Sequence, residues 1–310
     1  MGFLSELRHP TAWYTRLAIV IVALAFFWLI AAGGISAYLV NRMVSPARTH
    51  SDVKLQNFPG HPQPLSFTVK GQGARDGWFF PGLRFAPTII LCPAYESSGG
   101  ELLTLATALQ DQQYNVLVFD FSAHGSVGGR STLGLQEVSE LRAAIDGVAN
   151  RGDVDANRFG LWGVNMGAYV ALAEATNDRR VRAIAAESAY GHPNDMVALQ
   201  VTRFGLGSLP FVTGISRMIF DRLNSDFRNV PPLKTQLAKL SGVPQLYLES
   251  QDEPILAAST ALLFQASSPP HELVVLQHGN YAGMPDDEKR NYENRIVSFF
   301  VANLPATAGR

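Results

Sequence analysis

Six short apolar runs, separated by stretches with helical spacing, most limit the fold open to this chain. They are Thr88 to Cys92, Asn115 to Phe119, Phe159 to Trp162, Val181 to Ala185, Gln245 to Leu248 and Glu272 to Leu276. Runs that are apolar at successive positions suit strands covered on both faces, as in a parallel sheet. Val138, Leu141, Ile145 and Val148 recur at helical spacing, and so do Tyr292, Ile296, Phe299 and Phe300. Strands alternating with helices imply the α/β class: a doubly wound, mostly parallel sheet with right-handed crossovers. Ahead of them, Leu65 to Lys70 and Gly77 to Phe80, separated by Gly71, Gly73 and Asp76, read as an antiparallel hairpin.

Leu17 to Val40 holds no charged residue. Its roughly 24 residues, rising about 1.5 Å each, are long enough to cross a hydrocarbon layer of about 30 Å. We expect a transmembrane anchor. Trp13, Tyr14 and Tyr38 stand where interfacial aromatics belong, and Arg16 and Arg42 bracket the span. A cleaved signal peptide is the competing reading; against it, Ile35-Ser36-Ala37 is a poor cleavage site and the apolar region is too long. Arg8 and Arg16 before the span are matched by Arg42, Arg48 and Lys54 after it, which leaves the orientation open. Gly33 and Ala37 form a small-xxx-small pair through which two anchors could meet in a homodimer.

The expected division is a tail at 1–16, an anchor at 17–40, a polar, proline-bearing linker at 41–64, one folded domain at 65–304 and a tail at 305–310. Roughly 250 residues after the anchor are enough for a single α/β domain with a large core. A net charge of −1 and 47% hydrophobic residues argue against a nucleic-acid binder, which needs a basic face, and against general disorder. Cys92 is the sole cysteine, so no internal disulfide forms, and its place in a strand points to burial over reactivity. His9, His50, His61, His124, His192, His271 and His278 show no paired spacing, so no metal site is expected. Gly125 to Ser131 is glycine-rich but lacks the lysine and spacing of a phosphate-binding loop, and no dinucleotide fingerprint opens a βα unit; no cofactor is expected.

Gly163-Val164-Asn165-Met166-Gly167 follows a strand and precedes a helical pattern. That is the setting of a nucleophile elbow, where flanking glycines permit a strained turn that lifts the central side chain above the sheet. Here the central residue is asparagine. A neighbouring imidazole cannot convert an amide into an attacking alkoxide, so covalent acyl transfer has no route at Asn165.

With Asp120-Phe121-Ser122-Ala123-His124-Gly125, then Ser131-Thr132-Leu133-Gly134 through Glu137, and Glu187-Ser188-Ala189-Tyr190, these landmarks come in the order found in the α/β-hydrolase superfamily. From the first hairpin to the C-terminal helix the chain resembles that superfamily, most nearly the membrane-anchored or secreted bacterial serine hydrolases of peptidase and esterase type. The resemblance implies a hydrolase fold with a helical cap inserted at about 191–242 and, with the anchor, a single-pass protein of a bacterial inner membrane. Asp252 matches the position of the acid that orients the catalytic histidine; as a plain loop carboxylate it would cap the helix near Pro254. Register puts Asn280 or Tyr281 where the family has its histidine, with His278 two or three residues early. The oxyanion loop reads Cys92-Pro93-Ala94-Tyr95, which lacks a flexible glycine and the N–H donor at Pro93, while Met166 keeps the N–H that follows the elbow.

Two readings stand. One is a catalytically impaired, membrane-anchored protein holding a small acyl-type ligand or a protein partner in a pocket of the hydrolase fold. The other is a working hydrolase of esters or peptides with unusual machinery, His278 or Asp252 activating water while Asn165 polarises the carbonyl. In the cap, Phe204, Leu209, Phe211, Ile215, Met218, Ile219 and Phe220 form either an apolar lid or, at helical spacing, ordinary core packing.

Overall fold

Residues apolar on both faces pair into the centre of an eight-stranded sheet ordered β1-β2-β4-β3-β5-β6-β7-β8. The structure, a computed structural model, describes residues 13–48, 58, 60–279 and 281–307. It falls into two units, Met1–Met43 with Val197–Ser225, and Val44–Met196 with Asp226–Arg310.

The larger unit holds the sheet. β1 (Gln63–Val69) and β2 (Gly73–Phe80) form the expected hairpin, and β2 pairs antiparallel to β4 (Asn115–Phe119). β2 begins four residues before the apolar Gly77 to Phe80 run because Ala74, Arg75 and Asp76 extend the pairing to Thr68, Phe67 and Ser66. β3 (Thr88–Cys92), β4, β5 (Phe159–Val164), β6 (Val181–Glu187), β7 (Gln245–Ser250) and β8 (His271–Leu276) are parallel. α2 (Leu103–Asp111) meets α8 (Asp286–Asn303), while α3 (Glu137–Ala149) meets α4 (Met166–Ala175), and α7 (Pro254–Ala266) packs on β7. The sheet is thus the doubly wound one expected. Ile89, Leu91, Trp162, Val164, Leu246, Tyr292, Ile296 and Phe300 belong to one buried core cluster. The parallel strands end in register, Cys92 beside Gly163 and Val164 beside Glu187, so the segments after β3, β5 and β6 emerge along one edge. That edge carries the site.

In the smaller unit, α1 (Trp13–Val44) is a single apolar helix, the one helix among the described residues long and apolar enough to cross a membrane. It runs past Val40 through Asn41 and Arg42, since no helix breaker comes before Pro46. From Trp13 to Ile30 no residue is buried, whereas Ala32, Ser36, Leu39, Val40 and Met43 are. The Ser36 hydroxyl donates to the Val212 carbonyl at 3.2 Å, which ties α1 to α6 (Pro210–Leu223). The expected insertion is helical: α5 (Pro193–Arg203), α6 and three short 3-10 turns between Ser225 and Leu240. Of the seven apolar residues singled out in it only Phe220 is fully buried, and Phe204, Phe211 and Met218 are exposed, so core packing does not account for these three. Part of the expected linker, residues 49–57 and 59, lies outside the described residues.

Candidate active site

The turn after β5 is forced by close backbone packing. A methyl group at Gly163 would sit 2.3 Å from the Gly167 carbonyl carbon, and one at Gly167 would sit 2.1 Å from the Cys92 carbonyl oxygen, so neither position accepts a side chain. Between them Asn165 takes φ 38° and ψ −97°, a strained conformation for a residue with a Cβ. Its own N–H donates to the Glu187 carbonyl at 2.9 Å, holding the strained residue to β6.

Asn165 Oδ1 accepts two backbone hydrogen bonds, from Tyr95 N at 2.8 Å and from Met166 N. Two N–H groups thus converge on one oxygen, one from the residue after the elbow and one from the loop after β3, an arrangement of the kind that can hold an oxyanion. Pro93 has no N–H to give, and in this loop the donor is Tyr95, two residues on. The oxygen that the pair holds belongs to the protein. Since both donors require an acceptor, the amide orientation is determined, and Nδ2 with its two donors faces elsewhere. No described residue hydrogen-bonds Nδ2. Ala94 is buried. With Trp162, Val164 and Tyr281 it lines a cavity of only about 10 Å3, at the lower limit of the room one water needs.

A network of buried acids anchors the loops beside the elbow. Glu137 accepts from Ser131 Oγ at 2.8 Å, Thr132 N at 2.9 Å, Thr132 Oγ1 at 2.5 Å and Gly134 N at 2.9 Å. Glu140 accepts from Ser122 N at 2.9 Å and Ser122 Oγ at 2.5 Å; burial, then the neighbouring Glu137 charge, pushes its carboxyl above the usual range. Asp120 accepts from Gly99 N at 2.7 Å and Ser126 N at 3.1 Å, and a methyl at Gly125 would collide with its carboxylate. His124 donates Nδ1–H to the Ser122 carbonyl at 2.8 Å, and its ring meets Tyr95 edge-on at 5.6 Å. Burial lowers its pKa, and Nε2 is buried and without a partner among the described residues. Tyr190 closes the group, its hydroxyl on the Leu133 carbonyl at 2.7 Å and its ring stacked on Tyr169 at 5.1 Å.

The remaining described candidates have partners of their own, and only Tyr281 shares the small cavity beside Val164. Asp252 Oδ1 accepts from Gly279 N at 2.8 Å. The cap position of α7 is Glu253, whose side chain makes no capping hydrogen bond, and Asp252 braces the loop after β8. His278 points outward: its Nδ1 pairs with Glu288 Oε2 at 2.8 Å, and it lines a surface cavity of about 310 Å3 with Val275, Met284, Glu288 and Arg295. The Glu288 hydrogen bond and charge raise its pKa above the ordinary histidine value. Tyr281 is buried, its hydroxyl shared between Thr104 Oγ1 at 2.8 Å and Glu293 Oε1 at 2.5 Å, its ring against Trp162 at 5.4 Å. Burial and then the Glu293 bond push that phenol well above its usual pKa. Asn280 lies outside the described residues. Cys92 is fully buried and its thiol is pushed far up by desolvation, an unreactive setting. Sequence reasoning placed Tyr95 in the oxyanion loop but missed the roles of Glu137 and Glu140; Glu137, set five and six residues after Thr132 and Ser131 at a helix start, was the readable clue.

No family model matches the chain. The uncharacterised protein YfhR of Salmonella typhi is 24% identical over 289 residues, 87% of this chain and 92% of that protein. The uncharacterised protein YqkD of Bacillus subtilis is 25% identical over 238 residues, 74% and 77% of the two chains. Among solved structures, the Pyrococcus furiosus esterase Pf2001 superposes with a TM-score of 0.67 at 20% identity, covering 84% of this chain and 98% of the esterase. Esterases and α/β-hydrolases recur among its structural neighbours. The chain has the α/β-hydrolase fold, with a candidate transmembrane helix before it. A fold hosts many activities, so function rests on the site.

Proposed function

We propose that this chain is a membrane-anchored protein of the α/β-hydrolase fold, catalytically impaired at the elbow and open there to a ligand or partner from the surface only, since the cavity beside it holds about 10 Å3. The observation that carries the reading is Asn165 Oδ1 seated on both N–H groups of the oxyanion hole. Loss of a serine nucleophile alone costs a hydrolase about 10⁶ in kcat. Filling the hole adds a second barrier, because an incoming carbonyl must displace two hydrogen bonds worth about 0.5–1.5 kcal/mol each. A carbonyl or carboxylate oxygen that binds Nδ2 instead meets no such barrier, and this favours a hydrogen-bond acceptor as the ligand. The working-hydrolase reading draws no support from the loop after β8, where His278 faces Glu288 and Asp252 is engaged by Gly279.

The anchor is supported by α1, apolar and largely exposed from Trp13 to Ile30. A homodimer through Gly33 and Ala37 draws support only from the open space around Gly33. The test is turnover of a panel of p-nitrophenyl esters by the full chain and by Asn165→Ala. Both are expected at the background rate; turnover present in the wild type and abolished in the variant contradicts the reading.

A further inference from the structure

Between α5 and α6 the chain reads Phe204-Gly205-Leu206-Gly207-Ser208-Leu209-Pro210-Phe211, eight residues without a charge. The larger apolar side chains here turn outward, Phe204 at 45% and Phe211 at 52% exposure, with Leu206 and Leu209 half-buried. An exposed apolar tip of this kind is costly in water unless something covers it.

Three observations point to lipid as the cover. The first is level. α1 has no charge from Leu17, just after Arg16, to Val40, and a hydrocarbon layer of about 30 Å takes up about 20 of those residues, to near Ser36. Ser36, whose hydroxyl holds the Val212 carbonyl, therefore lies near the boundary between acyl chains and headgroups. Phe211 is the residue before Val212. The tip is thereby tied at headgroup depth beside α1. The second is backbone satisfaction, which lipid contact demands. Four of the tip's seven N–H groups are bonded: Phe204 to the Gln200 carbonyl at 3.0 Å, Gly205 to Thr202 at 2.9 Å, Leu206 to Val201 at 3.1 Å and Leu209 to Leu206 at 3.0 Å. The third is charge. The smaller unit's helical segment Val197–Ser225 carries Arg203, Arg217 and Arg222 against Asp221 alone, a balance that suits anionic headgroups.

We propose that the Phe204–Phe211 tip dips into the boundary between headgroups and acyl chains beside α1, a second membrane contact. The proposal rests on the anchor reading of α1. It gives the protein a fixed orientation on the bilayer that a single helix cannot, since one helix is free to rotate about its axis.

The experiment uses the full chain in anionic phospholipid vesicles. Cys92 is buried and unreactive, so one introduced cysteine takes a fluorophore specifically. Phe204→Cys, Leu24→Cys and the exposed Asp111→Cys are labelled and exposed to lipids bearing a spin-label quencher at a shallow or a deep acyl position. The expected result is deep quenching at Leu24, shallow quenching at Phe204 and none at Asp111, with quenching at Phe204 reduced when Arg203→Glu is added. Quenching at Leu24 with Phe204 behaving as Asp111 does overturns the proposal and leaves the anchor standing. Loss of Phe204 emission only on raising the ratio of labelled protein to lipid assigns the tip to a second copy of the chain and overturns the proposal. No quenching at Leu24 removes the anchor, and this proposal with it.

Discussion

At the turn after β5 the backbone determines the geometry, and at the turn after β8 side chains do. Gly163 and Gly167 are hemmed in by carbonyl groups, so the elbow forms whatever residue stands between them. Its two N–H donors converge although the central residue is Asn165. After β8 the course of the chain depends on particular partners: Asp252 on Gly279 N, His278 on Glu288, Tyr281 on Thr104 and Glu293. The elbow turn thus rests on two glycines and the carbonyl groups packed against them, while the ties after β8 exist only where both partners are present and aimed.

The contrast breaks first at the elbow. Gly167→Ala drives a methyl into the Cys92 carbonyl and is expected to destabilise the fold by about 3 kcal/mol, read as a lowered urea midpoint with an unchanged m-value. Tolerance of that methyl would mean the turn is soft. Tyr281→Phe removes the hydroxyl between Thr104 and Glu293 and is expected to cost about 1–2 kcal/mol by the same measurement, with no change in ester turnover. If turnover changes, the tyrosine belongs to the site. Asn165→Ala vacates the oxyanion hole at a cost of about 1 kcal/mol, since water can reach the freed N–H groups. Asn165→Ser is expected to stay at the esterase background, because His278 is paired with Glu288 and Asp252 with Gly279.

His278→Gln is the mildest change and sharpens the contrast through pH. The folded pKa of His278 is raised by Glu288, so the stabilising tie is complete below the unfolded value near 6.5 and is lost as pH rises through the folded value. The stability difference between wild type and His278→Gln should therefore shrink as pH rises. A difference independent of pH would show that His278 does not pair with Glu288 in solution.

The sheet was legible because strands buried on both faces leave unbroken apolar runs, as Thr88–Cys92 and Asn115–Phe119 do. β2 was only half legible, since Arg75 and Asp76 sit in a paired but exposed stretch. The elbow could be read from two glycines and an intervening asparagine. That Oδ1 fills the hole could not, because the direction of Tyr95 N is set after Pro93 by the packing of His124 and the acid-anchored loops, partners distant in sequence. Nor could the outward course of His278, which depends on Glu288, ten residues later on another element. Local spacing reveals strands and turns; it does not reveal which way a loop's donors point.

The central claim is that Asn165 Oδ1 closes the oxyanion hole and leaves no nucleophile at the elbow. Incubation of the full chain with a fluorophosphonate, followed by intact-mass and peptide analysis, tests it directly. The account predicts an unmodified mass after exhaustive treatment. A stoichiometric adduct mapped to the segment around Asn165, or to any residue that faces it, would contradict the account.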